Sequence, residues 1–263
     1  MPLRLSPTQT AFNAQGDGSF NTPLAEQLAF FRQKLNLPTA HYDDILKAAH
    51  DRAFVVAGAM KADLLTDFNT AITKTMREGK SIQWFRQEFN AIVQQHGWEG
   101  WTGSDSKAGR DWRTRIIYQT NLSTSYAAGR YQQLMDPDLL KTRPYWKYIH
   151  SDTVQHPRPL HVSWSGTVLR YDDPWWITHA PPNGWGCQCR VKAVRPSEYQ
   201  GEPAPDDGTY TKTDRYGVTH TLPKGVDYGW DYQPGASNSA LLRQVIAKQD
   251  KADWRLARAN TLA

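Results

Sequence analysis

The sequence predicts an α+β protein: an N-terminal helical region, a long central helix packed on a small Trp-rich antiparallel β domain, and an extended C-terminal arm. Three observations predict it. Apolar residues recur at three-and-four spacing through most of the first hundred positions, which is the helical period. A second run, about Asp111 to Met135, keeps that period without a breaker until Pro137. Beyond Pro137 the pattern turns to alternation, and five of the 11 tryptophans (Trp146, Trp164, Trp175, Trp176 and Trp185) fall there. On these boundaries residues 1–21 form a polar tail, 22–97 a helical domain, 98–109 a Gly/Ser/Asp linker, 110–199 the central domain, and 200–263 an arm ending in a helix.

Thr22 is placed to cap a first helix, with Pro23 at its first position, and Pro38 ends it. A second helical stripe runs from Ile45 through Ala48, Arg52, Val55 and Ala59, then through Leu64, Leu65, Phe68 and Ile72, until Gly79 stops it. Ser81 caps a third helix whose Phe85, Phe89 and Ile92 share a face, and Gly97 closes it. The long helix has little bulk at its centre ("TNLSTSYAAG"). Small residues there predict the close approach of another backbone, and Gly129 within a helix needs a packing reason of that kind. "YWKYIHS" alternates as a strand, "PLHVSWSGTVLRYDDP" reads as a hairpin about Ser165-Gly166, and "CQCRVKAV" as a further strand. Residues 200–240 are rich in Gly, Pro and Asp, and "NSALLRQVIAKQ" opens a capped helix.

The chain is 39% hydrophobic and 22% charged, with no apolar run long enough to span a bilayer and no apolar signal core in its first twenty residues. The expectation is a soluble protein that stays in a reducing compartment and meets no membrane. Its net charge of +5 lies within residues 101–200, the flanking stretches being balanced. The densest basic piece, "KAGRDWRTR", carries Lys107, Arg110, Arg113 and Arg115 around Trp112. Such a patch can track nucleic-acid phosphates without sequence preference. The simpler reading is the solvated first turn of a helix, with Asp111 inside it.

Both cysteines lie one residue apart in "HAPPNGWGCQCRV". A disulfide between Cys187 and Cys189 would close a small strained ring. Two thiolates with two imidazoles would make a closed tetrahedral zinc site, and four histidines (His150, His156, His161 and His179) stand just upstream. His161 and His179 are the preferred pair, with Asp152 as an oxygen alternative. Cys-x-Cys is tighter than the usual zinc-ligand spacing, so both sulfurs reach one ion only if Gln188 bulges. The plainer reading packs both cysteines on one strand face under the tryptophans as small hydrophobes. Catalysis finds less support: there is no phosphate-cradling Gly-rich loop, and Asp172-Asp173 before Pro174 reads as a turn.

Four segments in register carry a resemblance: "RTRIIYQTNLSTSYAAGR", "YWKYIHSD", "HPRPLHVSWSGTVL" and "DDPWWITHAPPNGWGCQCRV". Together they resemble the phage head morphogenesis family, which includes the Mu F-like minor head proteins, strongly over residues 110–195. The matching positions include Thr120, Gly129, Arg130, Arg158, Gly166, Pro181, Pro182, Asn183, Gly184, Trp185 and Arg190, while Gln188 stands where an Arg is expected. The resemblance implies a non-enzymatic minor head protein of a tailed phage or prophage, assembled in the bacterial host cytoplasm and located in the virion head. It implies few copies near the portal, with the portal protein and the major capsid protein as partners, assisting head morphogenesis and the packaging or delivery of DNA. Two alternatives keep a different class of function in view: a zinc-dependent nuclease-like enzyme, and a non-specific DNA-binding module.

Overall fold

A computed structural model describes residues 25–154 and 156–236. The expected Thr22–Pro23 cap and the helix after residue 238 lie outside the described residues. The elements follow in chain order: α1 (Ala25–Arg32), β1 (Leu35–Asn36), β2 (Ala53–Phe54), α2 (Ala62–Glu78), α3 (Ile82–His96), α4 (Lys107–Leu134), α5 (Pro137–Thr142), β3 (Tyr145–Ile149), α6 (Pro159–Ser163), β4 (Val168–Arg170), α7 (Trp175–His179), β5 (Arg190–Val194), β6 (Thr209–Thr213) and β7 (Thr219–Pro223). The α+β class is as the sequence predicts, with antiparallel sheets and a long central helix.

The three helix ends read from sequence are built as expected. Gly79 and Gly97 close α2 and α3 in the left-handed conformation, at φ 62° and 57°. The Ser81 hydroxyl accepts from the Trp84 N–H and opens α3. Leu64, Leu65, Phe68 and Ile72 of α2, Phe85 and Phe89 of α3, and Ile117, Tyr118 and Leu122 of α4 bury together as one core.

Residues 40–60 differ from the helical stripe. They fold as a loop, a single 3-10 turn (Lys47–Asp51) and the short strand β2, which pairs in parallel with β1. The chain's backbone groups are claimed across space: Leu35 N–H by Arg52 C=O, Leu37 N–H by Phe54 C=O, and Gly58 N–H by Thr39 C=O. The apolar spacing there therefore serves a small satellite core of Leu37, Ile45 and Ala53. The first helix likewise stops at Arg32, six residues before Pro38, because the chain turns into β1.

At 28 residues, α4 is long enough to join two cores. It spans about 42 Å. Its first half packs on α2 and α3; its last turn delivers Leu134 to a second core of Trp146, Tyr148, Trp164, Trp175, Trp176, Val226 and Trp230. The helix starts at Lys107 under a Ser106 cap, so the last residues of the expected linker are helical. The small residues at its centre have the predicted cause. A Cβ on Gly129 would stand 2.7 Å from the Gln27 backbone nitrogen in α1, and Gln27 Nε2 donates to Leu122 C=O at 3.2 Å. On another side, a Cβ on Gly235 would stand 2.9 Å from Ala128 Cα.

The three-stranded sheet has the order β4-β3-β5, antiparallel throughout. The expected hairpin about Ser165-Gly166 is instead helix α6, a turn in which Gly166 takes φ 99°, and β4. Strand β5 starts at Arg190, so the cysteines precede it and lie in a turn rather than on a strand face. Within the C-terminal stretch, β6 and β7 form a hairpin, after which Val226 and Trp230 return to the tryptophan core. None of the described helices is long and apolar enough to cross a membrane.

Candidate metal centre

The turn before β5 is shaped by the Pro-Pro-Asn-Gly-Trp motif. The Pro181–Pro182 peptide bond is cis. Asn183, fully buried, accepts from the Tyr148 hydroxyl at 2.9 Å through Oδ1, and its C=O accepts from the Asp227 N–H at 2.9 Å. Gly184 has no room for a side chain, because a Cβ would strike Arg158 and Asp227. Arg158 forks onto Asp227 with two bonds of 2.8 Å and also donates to Trp185 C=O at 3.2 Å. Cys187 N–H then closes a turn onto Gly184 C=O at 3.1 Å, and Gly186 takes φ 73°. Gln188 points outward, its Oε1 accepting from Thr153. With Gln188 exposed, the sulfurs on either side of it both approach His161.

Three donors converge there. Cys187 Sγ lies 3.6 Å and Cys189 Sγ 3.8 Å from His161 Nδ1, and the three atoms lie within 4.8 Å of one another. His161 is 2% exposed, stacked on Trp164, and its Nε2 is 2.8 Å from Gly225 C=O. A carbonyl can only accept, so Nε2 carries the proton and Nδ1 presents a lone pair to the sulfurs. Fixing a ligand imidazole through its far nitrogen is the usual outer support of a metal-binding histidine. Cys187's thiol is pushed well up, first by its hydrogen bond to Cys189 and then by burial. Cys189 is held well below the ordinary thiol range, first by that same bond. The group can therefore hold a metal ion, and two sulfurs with one nitrogen favour a soft or borderline ion over magnesium or calcium. Among the described residues no carboxylate joins the group. A cleft of about 370 Å³ between α4 and this turn has Cys187 and Cys189 in its wall, which gives the sulfurs an entry path.

His179 is placed elsewhere. Helix α7 lays its ring flat on Trp175, with centroids 4.4 Å apart, and Nδ1 donates to Trp175 C=O at 3.1 Å. The second histidine beside the cysteines is His150, whose Nδ1 lies 3.4 Å from Cys189 Sγ. Sequence contained a signal for it. The β3–β5 register pairs Tyr145 with Val194 and Ile149 with Arg190, and His150 and Cys189 adjoin that last pair. Asp152 is exposed.

The basic segment divides. Lys107 pairs with Asp111 at 2.7 Å and Arg110 donates to Ser104 C=O at 2.7 Å, both at the surface, and Arg115 is exposed. Arg113 is buried and donates to Ala57 C=O at 2.5 Å, so it faces the helical core. Of the remaining motif positions, Thr120 is buried in α4, Arg130 bonds Gln133 one turn on, and Arg190 begins β5. Four of the five clustered tryptophans are core; Trp185, at 37% exposure, is the one at the surface, edge-on to Tyr42 and Trp230.

Residues 66–192 match the family described as "Phage Mu protein F like protein", a match that starts in α2 and ends in β5, just past the cysteines. The "Putative capsid assembly protein F" of Escherichia phage Mu is 31% identical over 260 residues, covering 87% of this chain and 58% of that protein. The "Mu-like prophage FluMu F protein" of Haemophilus influenzae is 35% identical over 165 residues, covering 61% of this chain and 39% of that protein. The chain thus spans roughly half the length of these relatives. No solved structure matches it. Through residues 66–192, the chain belongs to the Phage Mu protein F like family.

Proposed function

We propose that this chain is a minor head protein of a tailed phage or prophage, a non-enzymatic component that assists head assembly. The observation that supports it most is the similarity over 87% of the chain to a protein named for capsid assembly. On this reading the chain is present in few copies near the portal, contacts the portal and the major capsid protein, and assists packaging or delivery of DNA. The surface suits contact rather than catalysis: Trp185 and Trp112 are exposed aromatics beside a buried, cross-braced core.

The His161–Cys187–Cys189 group serves in this reading as a structural zinc site. Zinc is supported by the donor chemistry and by sulfur–nitrogen separations of 3.6 and 3.8 Å. With bonds of about 2.3 Å to sulfur and about 2.0 Å to nitrogen, a tetrahedral ion sets such edges at about 3.5 Å. The ion would fasten α6 to the turn before β5.

Quantitative mass spectrometry of purified heads and procapsids, counting this chain against the portal protein, tests the assembly role. The expected result is a ratio of the order of the portal's own copy number or lower. Absence from both particles overturns it.

A further inference from the structure

We propose that His150 supplies the fourth ligand of this centre, closing a Cys2His2 set with His161, Cys187 and Cys189. The inference rests on the zinc reading above and goes beyond it, because three donors leave the fourth position to a protein side chain or to water. That choice decides what the ion can do. A closed tetrahedron is structural; an open position is where a bound water becomes a nucleophile.

Two observations favour His150. Its Nδ1 lies 3.4 Å from Cys189 Sγ, close to the edge length a tetrahedral ion imposes. The sheet also brings it near: the β3–β5 ladder ends at the Ile149–Arg190 pair, and His150 and Cys189 are the residues that adjoin that pair on the two chains. Its backbone is fixed at that point, since the His150 N–H donates to Ser165 Oγ at 3.1 Å. The ring meets the three-donor group through Cys189, and binding an ion requires it to turn further toward His161 and Cys187.

The competing donors are engaged. His179 gives Nδ1 to Trp175 C=O and stacks on that ring. Tyr148 donates its hydroxyl proton to Asn183 at 2.9 Å. No carboxylate joins the group among the described residues. With His150 as ligand, the ion ties the end of β3, helix α6 and the 187–189 turn at one point. Those are the segments between which the sheet itself makes no covalent link.

The test uses the full chain without a tag, stripped of metal and titrated with Co2+. Wild type is expected to give the intense visible bands of four-coordinate cobalt together with thiolate-to-cobalt charge transfer. His150→Ala should keep the charge transfer, lose most of the visible intensity, and change its spectrum when imidazole is added to the vacated position. Its zinc affinity should fall by about 10- to 100-fold or more, since even outer partners of ligands cost that much. His150→Cys should restore the intense bands with stronger charge transfer, which separates a ligand from a merely structural residue and stands in if His150→Ala fails to fold. His179→Ala should match wild type. If wild type binds cobalt and both His150 variants keep its spectrum, the fourth ligand is not His150, while the metal reading stands. If wild type binds no cobalt, the metal reading itself falls, and this inference with it.

Discussion

Arg158 forks onto Asp227 across 69 residues of chain, each guanidinium nitrogen 2.8 Å from a carboxylate oxygen. This pair is the clasp of the central domain. It locks the Pro-Pro-Asn-Gly-Trp turn to the returning C-terminal stretch, because Asp227 also accepts from the Trp185 N–H at 3.1 Å and donates its own N–H to Asn183. Both side chains are about a third exposed, so solvent screens them. A double-mutant cycle of Arg158→Met and Asp227→Asn, read by urea unfolding, should give a coupling of about 1–2 kcal/mol. Additive single effects would mean that the fork is incidental.

The basic segment at the start of α4 should separate into two behaviours. Arg113 is buried on Ala57 C=O, and removing a charged buried donor costs about 1.5–3 kcal/mol. Arg113→Ala should therefore lower the unfolding midpoint and leave the salt dependence of any DNA binding unchanged. The triple change Lys107→Ala, Arg110→Ala and Arg115→Ala should do the reverse, reducing the slope of log affinity against log salt by no more than about 3. A change in that slope with Arg113→Ala alone would contradict the burial argument.

Acid should weaken the N-terminal region through His50. Burial, and then the Lys34 ammonium, hold its imidazole at about 3 in the folded chain, against an ordinary value of 6.5. Between those two values the unfolded chain binds the proton that the folded chain refuses. Stability therefore falls as pH drops below about 6.5, by up to about 1.4 kcal/mol per unit for this one group. Unfolding midpoints at pH 7 and pH 5 should converge in His50→Gln relative to wild type. An unchanged difference would assign the acid sensitivity to other groups.

Much of this was legible in the sequence where the cause is local. Caps at Ser81, Gly79 and Gly97 depend on a few neighbouring residues, and β3 depends on strict alternation. Even the close approach at Gly129 was readable, since small residues in a long helix have few other uses. Residues 45–59 were not, because apolar spacing is ambiguous when tertiary pairing claims the backbone; β1 takes the carbonyls of Arg52 and Phe54 that a helix would have used. At the centre, the structure brings His161 and the two cysteines together, lays His179 on Trp175 and sets His150 beside Cys189. His150 and His179 sit in the same motif-bearing stretch. Only tertiary placement distinguishes them: His150 follows directly on β3 and reaches Cys189 Sγ at 3.4 Å, whereas helix α7 lays His179 on Trp175.

The most direct measurement of the site is the metal content of the full chain, expressed without a tag and quantified by inductively coupled plasma mass spectrometry before and after chelation. One zinc per chain is expected, removed by a strong chelator with a fall in the melting temperature of the tryptophan-rich core. Cys187→Ser and Cys189→Ser should each abolish the stoichiometric zinc. A wild-type protein that is folded, reduced and free of stoichiometric metal, and that melts identically with and without chelator, would contradict the metal reading and leave the two cysteines as a hydrogen-bonded pair packed against His161.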